Sequence, residues 1–315
     1  MERFYNPDIS KDTWLGRKDA HENEYIYQLI QCKNLNDGLG LLTGYGLLGF
    51  CSDTGIHRNL GHRGAALGPQ VFRQCFGKLA APYPASLFDF GNIHVINENL
   101  EDAQICLSEK IHHILQNNIF PIVIGGGHET AWGHYQGIKA HFPDDDIAIL
   151  NFDAHFDLRP LISNHLGTSG TPFRQIHQFL TAKKQPFHYY CAGIQPYANT
   201  KSLFEFAHEH HVQYQFAQSI NSNPFDLSFI ENIIQKHSKI YITLCLDVFA
   251  ASIAPGVSAP QALGIQPTYV VEALKILKES QKIVSLDIVE LSPPFDINHH
   301  TAKLAASLVT GFIFS

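Results

Sequence analysis

The chain has 315 residues, 45% of them hydrophobic, enough for a sizeable core in one large α/β domain or two small ones. Only 16% are charged, the formal net charge is -7 and the pI is near 6.2, so there is no basic field for nucleic acid and no charge block of a disordered tail. No apolar export segment opens the chain, no run of about 20 apolar residues could span a bilayer, and six cysteines are scattered without a CxxC pair, which predicts a cytoplasmic protein with reduced thiols and no membrane partner.

Residues 1–40 read as an irregular lead-in. Beyond them, short apolar runs alternate with amphipathic stretches, the pattern of βαβ units around a mainly parallel sheet. Strands are expected at 45–50, 86–90, 119–124, 147–152, 187–192, 240–246 and 282–288. Helices are expected at about 69–79, 100–117, 129–140, 172–184, 200–211, 225–237, 267–280 and 299–312. In 268–280, Val270, Val271, Ala273, Leu274 and Leu277 recur at three- and four-residue spacing, as on one face of a helix. No repeat, low-complexity stretch or long linker interrupts the pattern, so a single domain over 1–315 is expected. Most of the 19 histidines are expected at the surface without a function.

In open parallel sheets, ligands collect at the carboxyl ends of the strands, and the chemically loaded residues fall there. The apolar run 122–124 leads into Gly125-Gly126-Gly127-His128-Glu129, where glycines let the backbone turn sharply before a helix. A phosphate cradle is the other use of such a turn, but the Lys-Ser/Thr ending of a P-loop and the GxGxxG spacing are both absent. The run 147–150 leads into Asn151-Phe152-Asp153-Ala154-His155-Phe156-Asp157. An extended backbone would point Asp153, His155 and Asp157 to one face, a ligand set for hard-to-borderline divalent ions. Cys245 and Asp247 end a third strand, two residues apart, before the turn-forming stretch 254–260, and Glu290 follows a fourth at the same rim.

Taken together, GGGHE (125–129), NFDAHFD (151–157), Asp247 with the APGVSAP stretch (254–260), and DIVELSP (287–293) resemble the ureohydrolase (arginase/agmatinase) superfamily, in its order and over nearly the whole chain. The flanking pieces 14–19, 58–65, 167–173, 193–195 and 199–200 are most similar to formimidoylglutamase. Ser169-Gly170 stands where arginases and agmatinases usually carry His-Gly, which argues against a histidine acid/base at that position. The resemblance implies a three-layer arginase-like α/β fold, with a central, mainly parallel sheet of about eight strands and helices on both faces. It implies two Mn2+ ions per subunit, one held by His128, Asp153 and Asp157 and the other by Asp153, His155 and Asp247. A homo-oligomer is compatible with the resemblance, although no interface is legible in the sequence.

One position departs from the family pattern. Counting back seven residues from Ala254 places Asp247 on the second Asp of an Asp-x-Asp motif and Cys245 on the first, the bridging one. A thiolate conserves charge but offers no pair of oxygens, and its softness favours Zn2+ or Fe2+ over Mn2+. Three readings stay open: an active enzyme of altered metal preference, a weak or single-metal enzyme, and a protein no longer catalytic in the family's way.

The implied reaction is hydrolysis of N-formimidoyl-L-glutamate to L-glutamate and formamide in histidine degradation. In it, a hydroxide between the metals attacks the amidine carbon, Glu290 holds the cationic N–H groups, and Asp157 relays a proton to the departing nitrogen. The substrate's two carboxylates call for local cations, and Arg58, Arg63 and Arg159 are the candidates, with Asn59, Asn199 and Thr200 as neutral partners. Arg58 and Arg63 could equally pin a loop. Trp14 and Arg17 fit either a lid or a packing contact. A guanidino- or agmatine-type hydrolase, which would need acidic anchors instead, and a non-catalytic metal- or amidine-binding protein are the alternative functions.

Overall fold

The structure, a computed structural model, describes residues 2–9, 11–40, 42–222 and 226–315. Among the described residues ten strands form one sheet: β1 (Tyr5–Asn6), β2 (Ile30–Cys32), β3 (Gly44–Cys51), β4 (Leu87–His94), β5 (Ile119–Ile124), β6 (Ile147–Phe152), β7 (Tyr189–Ile194), β8 (Gln213–Phe216), β9 (Lys239–Cys245) and β10 (Ile283–Val289). Their order is β1-β4-β3-β5-β10-β9-β6-β7-β8, with β2 paired to β4 off this path. Among the strand pairs of the described residues, β1 against β4 is antiparallel and the others are parallel. All seven strands read from the sequence are present. The expected count of about eight falls short because β1, β2 and β8, of two to four residues, are too brief to show a periodicity.

The central strands are buried on both faces and therefore read as apolar runs rather than alternating ones. All six residues of Ile147–Phe152 are buried. Alternate side chains feed two cores. Ala148, Leu150, Phe152, Ile240 and Ile242 pack with residues of helices Gly68–Phe76, Pro267–Glu279 and His300–Phe314. On the opposite face Val123, Ile147, Ile149 and Tyr241 pack with residues of helices Leu100–Gln116, Thr130–His141 and Pro172–Ala182. These are the three layers that the family resemblance implies.

Helix Pro267–Glu279 shows how locally the elements are encoded. Pro267 sits in the first turn, where its missing N–H is no loss. Val270, Ala273, Leu274 and Leu277 are buried, and each large aliphatic among them contributes about 1.5–3 kcal/mol by leaving water. Val271, expected on the same stripe, is 47% exposed, because one step of a helix turns about 100° off the buried face. Residue 225, the expected start of another helix, lies outside the described residues, and that helix is described as Ser228–Lys236. Residues 1–40 are less irregular than expected. They supply β1 and β2, both paired to β4, and the buried ring of Trp14, whose Nε1–H donates to Asp89 at 3.0 Å. Arg17 pairs with Asp19 at the surface. No helix among the described residues is long and apolar enough to cross a membrane.

One consequence of this strand order matters most for the site. β5, β10, β9 and β6 are neighbours, although 290 and 128 are far apart in the chain. Ile124 is level with Ile288, Val289 with Cys245, and Phe152 with Leu244. The residues that follow these four strands are therefore brought to one rim.

Candidate metal centre

The glycine turn after β5 is stitched to its neighbours through the backbone. Gly125, Gly126 and Gly127 donate their N–H groups to Ile288, Phe50 and Ser52 carbonyls at 2.8, 2.7 and 3.0 Å. The approach at Gly126 is so close that a Cβ there would fall 1.7 Å from the Ser52 carbonyl oxygen, so only glycine fits. The turn delivers His128 with its N–H donating to Glu290 Oε1 at 2.8 Å. Glu129, unassigned in the sequence, is wholly buried and accepts from Ser52 Oγ and the Gly55 N–H at 2.7 and 2.9 Å.

Asp153, His155 and Asp157 converge, but not by strand alternation. β6 ends at Phe152, and 153–157 is a loop. In a strand at about 3.3 Å per residue, Asp153 and Asp157 would stand about 13 Å apart. In the fold, His128 Nδ1 lies 3.0 Å from Asp153 Oδ2 and 2.9 Å from Asp157 Oδ2. The loop closes because Asp157 adopts a left-handed φ of 48°, a conformation that aspartate tolerates better than most residues. It is pinned from beneath: Asp153 Oδ1 accepts from its own loop's His155 N–H at 2.7 Å, and Tyr189 donates its hydroxyl to the Phe156 carbonyl at 2.9 Å.

The third strand likewise stops sooner than its pattern suggests. β9 ends at Cys245, and Asp247 lies in the 3-10 turn Leu246–Val248. Both side chains nevertheless reach the same rim. His155 Nδ1 is 3.1 Å from Asp247 Oδ2 and 3.5 Å from Asp153 Oδ1. Two ligand groups result, each with donor atoms within 4.8 Å of one another: His128, Asp153 and Cys245, and Asp153, His155 and Asp247. Asp153 belongs to both. Glu290, just beyond β10, also has a left-handed φ, 68°, which is strained for so long a side chain.

The electrostatics ask for cations. Burial pushes the Asp247 carboxyl up, with Asp153 adding to it, and burial together with Glu129 and Asp247 raises Glu290 well above the usual carboxylate range. Asp157 is pushed up to about 6, by burial first and then by the charge of Asp153. The Cys245 thiol is raised well above its ordinary value by burial and by the carboxylates around it. Asp153 goes the other way, because His128 and His155 outweigh its burial and hold it far below the usual range. Burial would lower both imidazoles, yet their carboxylate partners raise them well above the ordinary value. Bound divalent cations would reverse this balance and deprotonate the imidazoles that face them. Buried Asp247 Oδ1 has no hydrogen-bond partner among the described residues, and His128 Nδ1 faces the Asp153 and Asp157 carboxylates without a well-directed hydrogen bond to either, as befits donors aimed at an ion. The residues present therefore fit a pair of divalent ions.

A layer that the sequence reading missed holds His128 from behind. Its Nε2 is 3.0 Å from Thr243 Oγ1, and Thr243 donates to Asp287 Oδ1 at 2.5 Å. Asp287 Oδ2 takes the Tyr241 hydroxyl and lies 2.7 Å from His134 Nδ1. The signal was a polar Thr243 and Asp287 inside otherwise apolar strands, positions that must find partners when buried.

A cavity of about 310 Å3 opens over the centre, lined by His155, Asp157, Cys245, Asp247 and Glu290 and, at its outer part, by Asn59, Arg159, Ser169 and Asn199. The candidate substrate anchors divide. Arg159 is exposed, lines the cavity, and its guanidinium has no ion-pair partner among the described residues. Arg58 does not line it. Its guanidinium is committed to Glu101 at 2.5 Å and to the Gly167 carbonyl at 3.1 Å. Arg63 is similarly committed to Asp53 and Glu98 at 3.0 and 2.5 Å. Both pin loops, since nearby carboxylates claim them. Asn59 faces the cavity and donates weakly to Ser169 Oγ at 3.3 Å. Asn199 lines the cavity, but its amide serves the metal loop: it accepts from the Phe156 N–H and donates to the Ala154 and Gln195 carbonyls. Thr200 bonds Ser202 at the surface.

Comparison with known proteins gives the chain's family and fold. The formimidoylglutamase of Legionella pneumophila is 44% identical, covering 94% of this chain and 93% of its own. That of Clostridium tetani is 41% identical, covering 98% and 95%. Among solved structures, Trypanosoma cruzi formiminoglutamase with Mn2+ superposes with a TM-score of 0.81 at 23% identity, over 93% of this chain and 98% of that one, a likeness of fold. The Arginase family model matches residues 43–314, a span that holds every residue of the candidate metal centre, and the chain belongs to the arginase family.

Proposed function

We propose that the protein hydrolyses N-formimidoyl-L-glutamate to L-glutamate and formamide, as a step of histidine degradation. The observation that carries this reading is the joining of two ligand groups through the buried Asp153, beneath a cavity lined by His155, Asp157, Cys245 and Asp247 and by Arg159. Similarity to formimidoylglutamases over almost the full chain supports the choice of substrate. The catalytic residues all hang on one sheet, in keeping with a single catalytic domain.

His128, Asp153 and Asp157 would hold one divalent ion and Asp153, His155 and Asp247 the other, with Mn2+ the expected metal. When bound, such a pair supplies activated water at neutral pH and polarises the amidine. Cys245, beside His128 and Asp153, sets this centre apart by adding a soft donor, which raises affinity for Zn2+ or Fe2+ relative to Mn2+.

The protein's own groups do the rest. Glu290 accepts charge-assisted hydrogen bonds from the amidinium N–H groups and orients the carbon to be attacked. Its carboxylate is held in place by the His128 N–H, so the substrate anchor and a metal ligand share one rigid support. Asp157 relays the proton given up by the attacking water to the departing glutamate nitrogen, so that the C–N bond breaks with a neutral amine leaving. Arg159 takes a substrate carboxylate, with Asn59 as a neutral neighbour. The walls around the centre are buried, which strengthens each of these contacts.

Purified protein loaded with Mn2+ is expected to release formamide from N-formimidoyl-L-glutamate, and Asp153→Ala is expected to abolish the release. Absence of turnover with Mn2+, Zn2+ and Fe2+ alike would overturn the proposal.

A further inference from the structure

Three residues at the opposite end of the sheet form a second cluster that the catalytic reading does not use. Asp146 immediately precedes β6, His188 immediately precedes β7, and His237 lies two residues before β9. These strands are neighbours in the order β9-β6-β7, so the fold gathers the three at their amino ends. With strands of six or seven residues, that is about 20 Å from the catalytic rim.

From this juxtaposition we propose a peripheral site for a borderline divalent cation, Zn2+ or a close neighbour, bound by Asp146, His188 and His237. The three donor atoms lie within 4.8 Å of one another. Asp146 Oδ2 is 3.0 Å from His188 Nε2 and 3.9 Å from His237 Nδ1. Bonds of about 2.0–2.1 Å in a tetrahedral zinc site put ligand atoms about 3.3 Å apart, so the observed spacings bracket the requirement. Two imidazoles and a carboxylate also match the ligand types that this class of ion takes.

A second observation separates this cluster from a chance surface ion pair. His237 is buried, and its other nitrogen, Nε2, lies 2.8 Å from the Tyr190 hydroxyl. With Nε2–H donating there, Nδ1 keeps its lone pair toward Asp146 and His188. Metal-binding histidines are commonly oriented this way by a partner on the far nitrogen. Burial, together with the neighbouring His188, lowers the pKa of His237 and favours the neutral ring that a cation needs. Its sequence neighbour Lys236, and Lys282, oppose a cation, while Asp146 favours it. Asp145 is already paired with Lys239 at 2.8 Å and adds little. The side chains of Asp146 and His188 are 47% and 34% exposed, which leaves a path for the ion and room for water as a fourth ligand.

Such an ion would clamp the starts of three adjacent strands. The test is the metal content of the full-length, Mn2+-loaded protein after dialysis against micromolar Zn2+. Wild type is expected to hold about one equivalent more per chain than either His188→Asn or Asp146→Asn, with formamide release the same in all three. The catalytic ligands are common to all three proteins, so the difference isolates the peripheral site even if Zn2+ replaces Mn2+. Asp146 is exposed and His188 half-buried, and unchanged turnover reports an intact fold. Equal zinc content in wild type and both variants would overturn the proposal.

Discussion

His128 Nε2 stands 3.0 Å from Thr243 Oγ1, and Thr243 in turn donates to Asp287, so the histidine proposed as a metal ligand is tied to a buried carboxylate through one hydroxyl. The chain of bonds fixes the ring so that Nδ1 faces Asp153 and Asp157. Outer partners of this kind typically alter metal affinity by about 10–100-fold when removed. Thr243→Val keeps the shape and deletes the hydroxyl. It is expected to weaken Mn2+ binding by about tenfold or more, measured by metal titration, whereas Thr243→Ser should retain binding. Equal affinity in Thr243→Val and wild type would mean the tie does not orient the ring.

Among the described residues, Arg159 is a cation left without an ion-pair partner beside the cavity, whereas Arg58 and Arg63 each hold a carboxylate of the protein. Arg159→Ala is expected to raise KM for N-formimidoyl-L-glutamate by about 10–100-fold, the loss of one charge-assisted pair, with a smaller change in kcat. Arg58→Ala should instead lower thermal stability and leave KM close to wild type. The reverse pattern in steady-state kinetics and melting curves would exchange their roles. Gly170→Ala offers an independent check, because a Cβ there would come 2.9 Å from Arg159 Cδ and 3.0 Å from Asn59 Nδ2.

Cys245 shares a ligand group with His128 and Asp153. Replacing a soft thiol by a hard carboxylate should move selectivity toward Mn2+. In Cys245→Asp, competition between Mn2+ and Zn2+ is expected to shift toward Mn2+ by about tenfold, read by metal analysis after dialysis against both ions. An unchanged ratio would place the sulfur outside the coordination sphere.

Away from the candidate metal centre, His177 makes part of the stability depend on acid. Burial first, then His210 and Arg174, push its pKa down to about 4 from an ordinary value near 6.5. The unfolded chain therefore binds the proton more readily than the folded one between these values. The sign follows: the neutral ring costs nothing above pH 6.5, and stability falls progressively as pH drops from 6.5 toward 4. His177→Gln is expected to flatten the decline of the urea midpoint over that window. A parallel decline in variant and wild type would remove His177 as its cause.

Much of this protein was legible in its sequence. Apolar runs such as 147–152 locate buried strands because both faces are covered, and His128, Asp153, His155, Asp157, Asp247 and Glu290 stand out because charged and imidazole side chains at the ends of such runs must have something to bind. The brief strands β1, β2 and β8 escaped, since two to four residues carry no readable period. What only the tertiary structure decided was convergence. Strand order puts the ends of β5, β10, β9 and β6 side by side, left-handed backbone at Asp157 and Glu290 turns their side chains to the centre, and competing carboxylates draw Arg58 and Arg63 away from the cavity that Arg159 still faces. Local pattern reflects each residue's own burial, whereas the meeting of residues far apart along the chain depends on pairings that no short window contains.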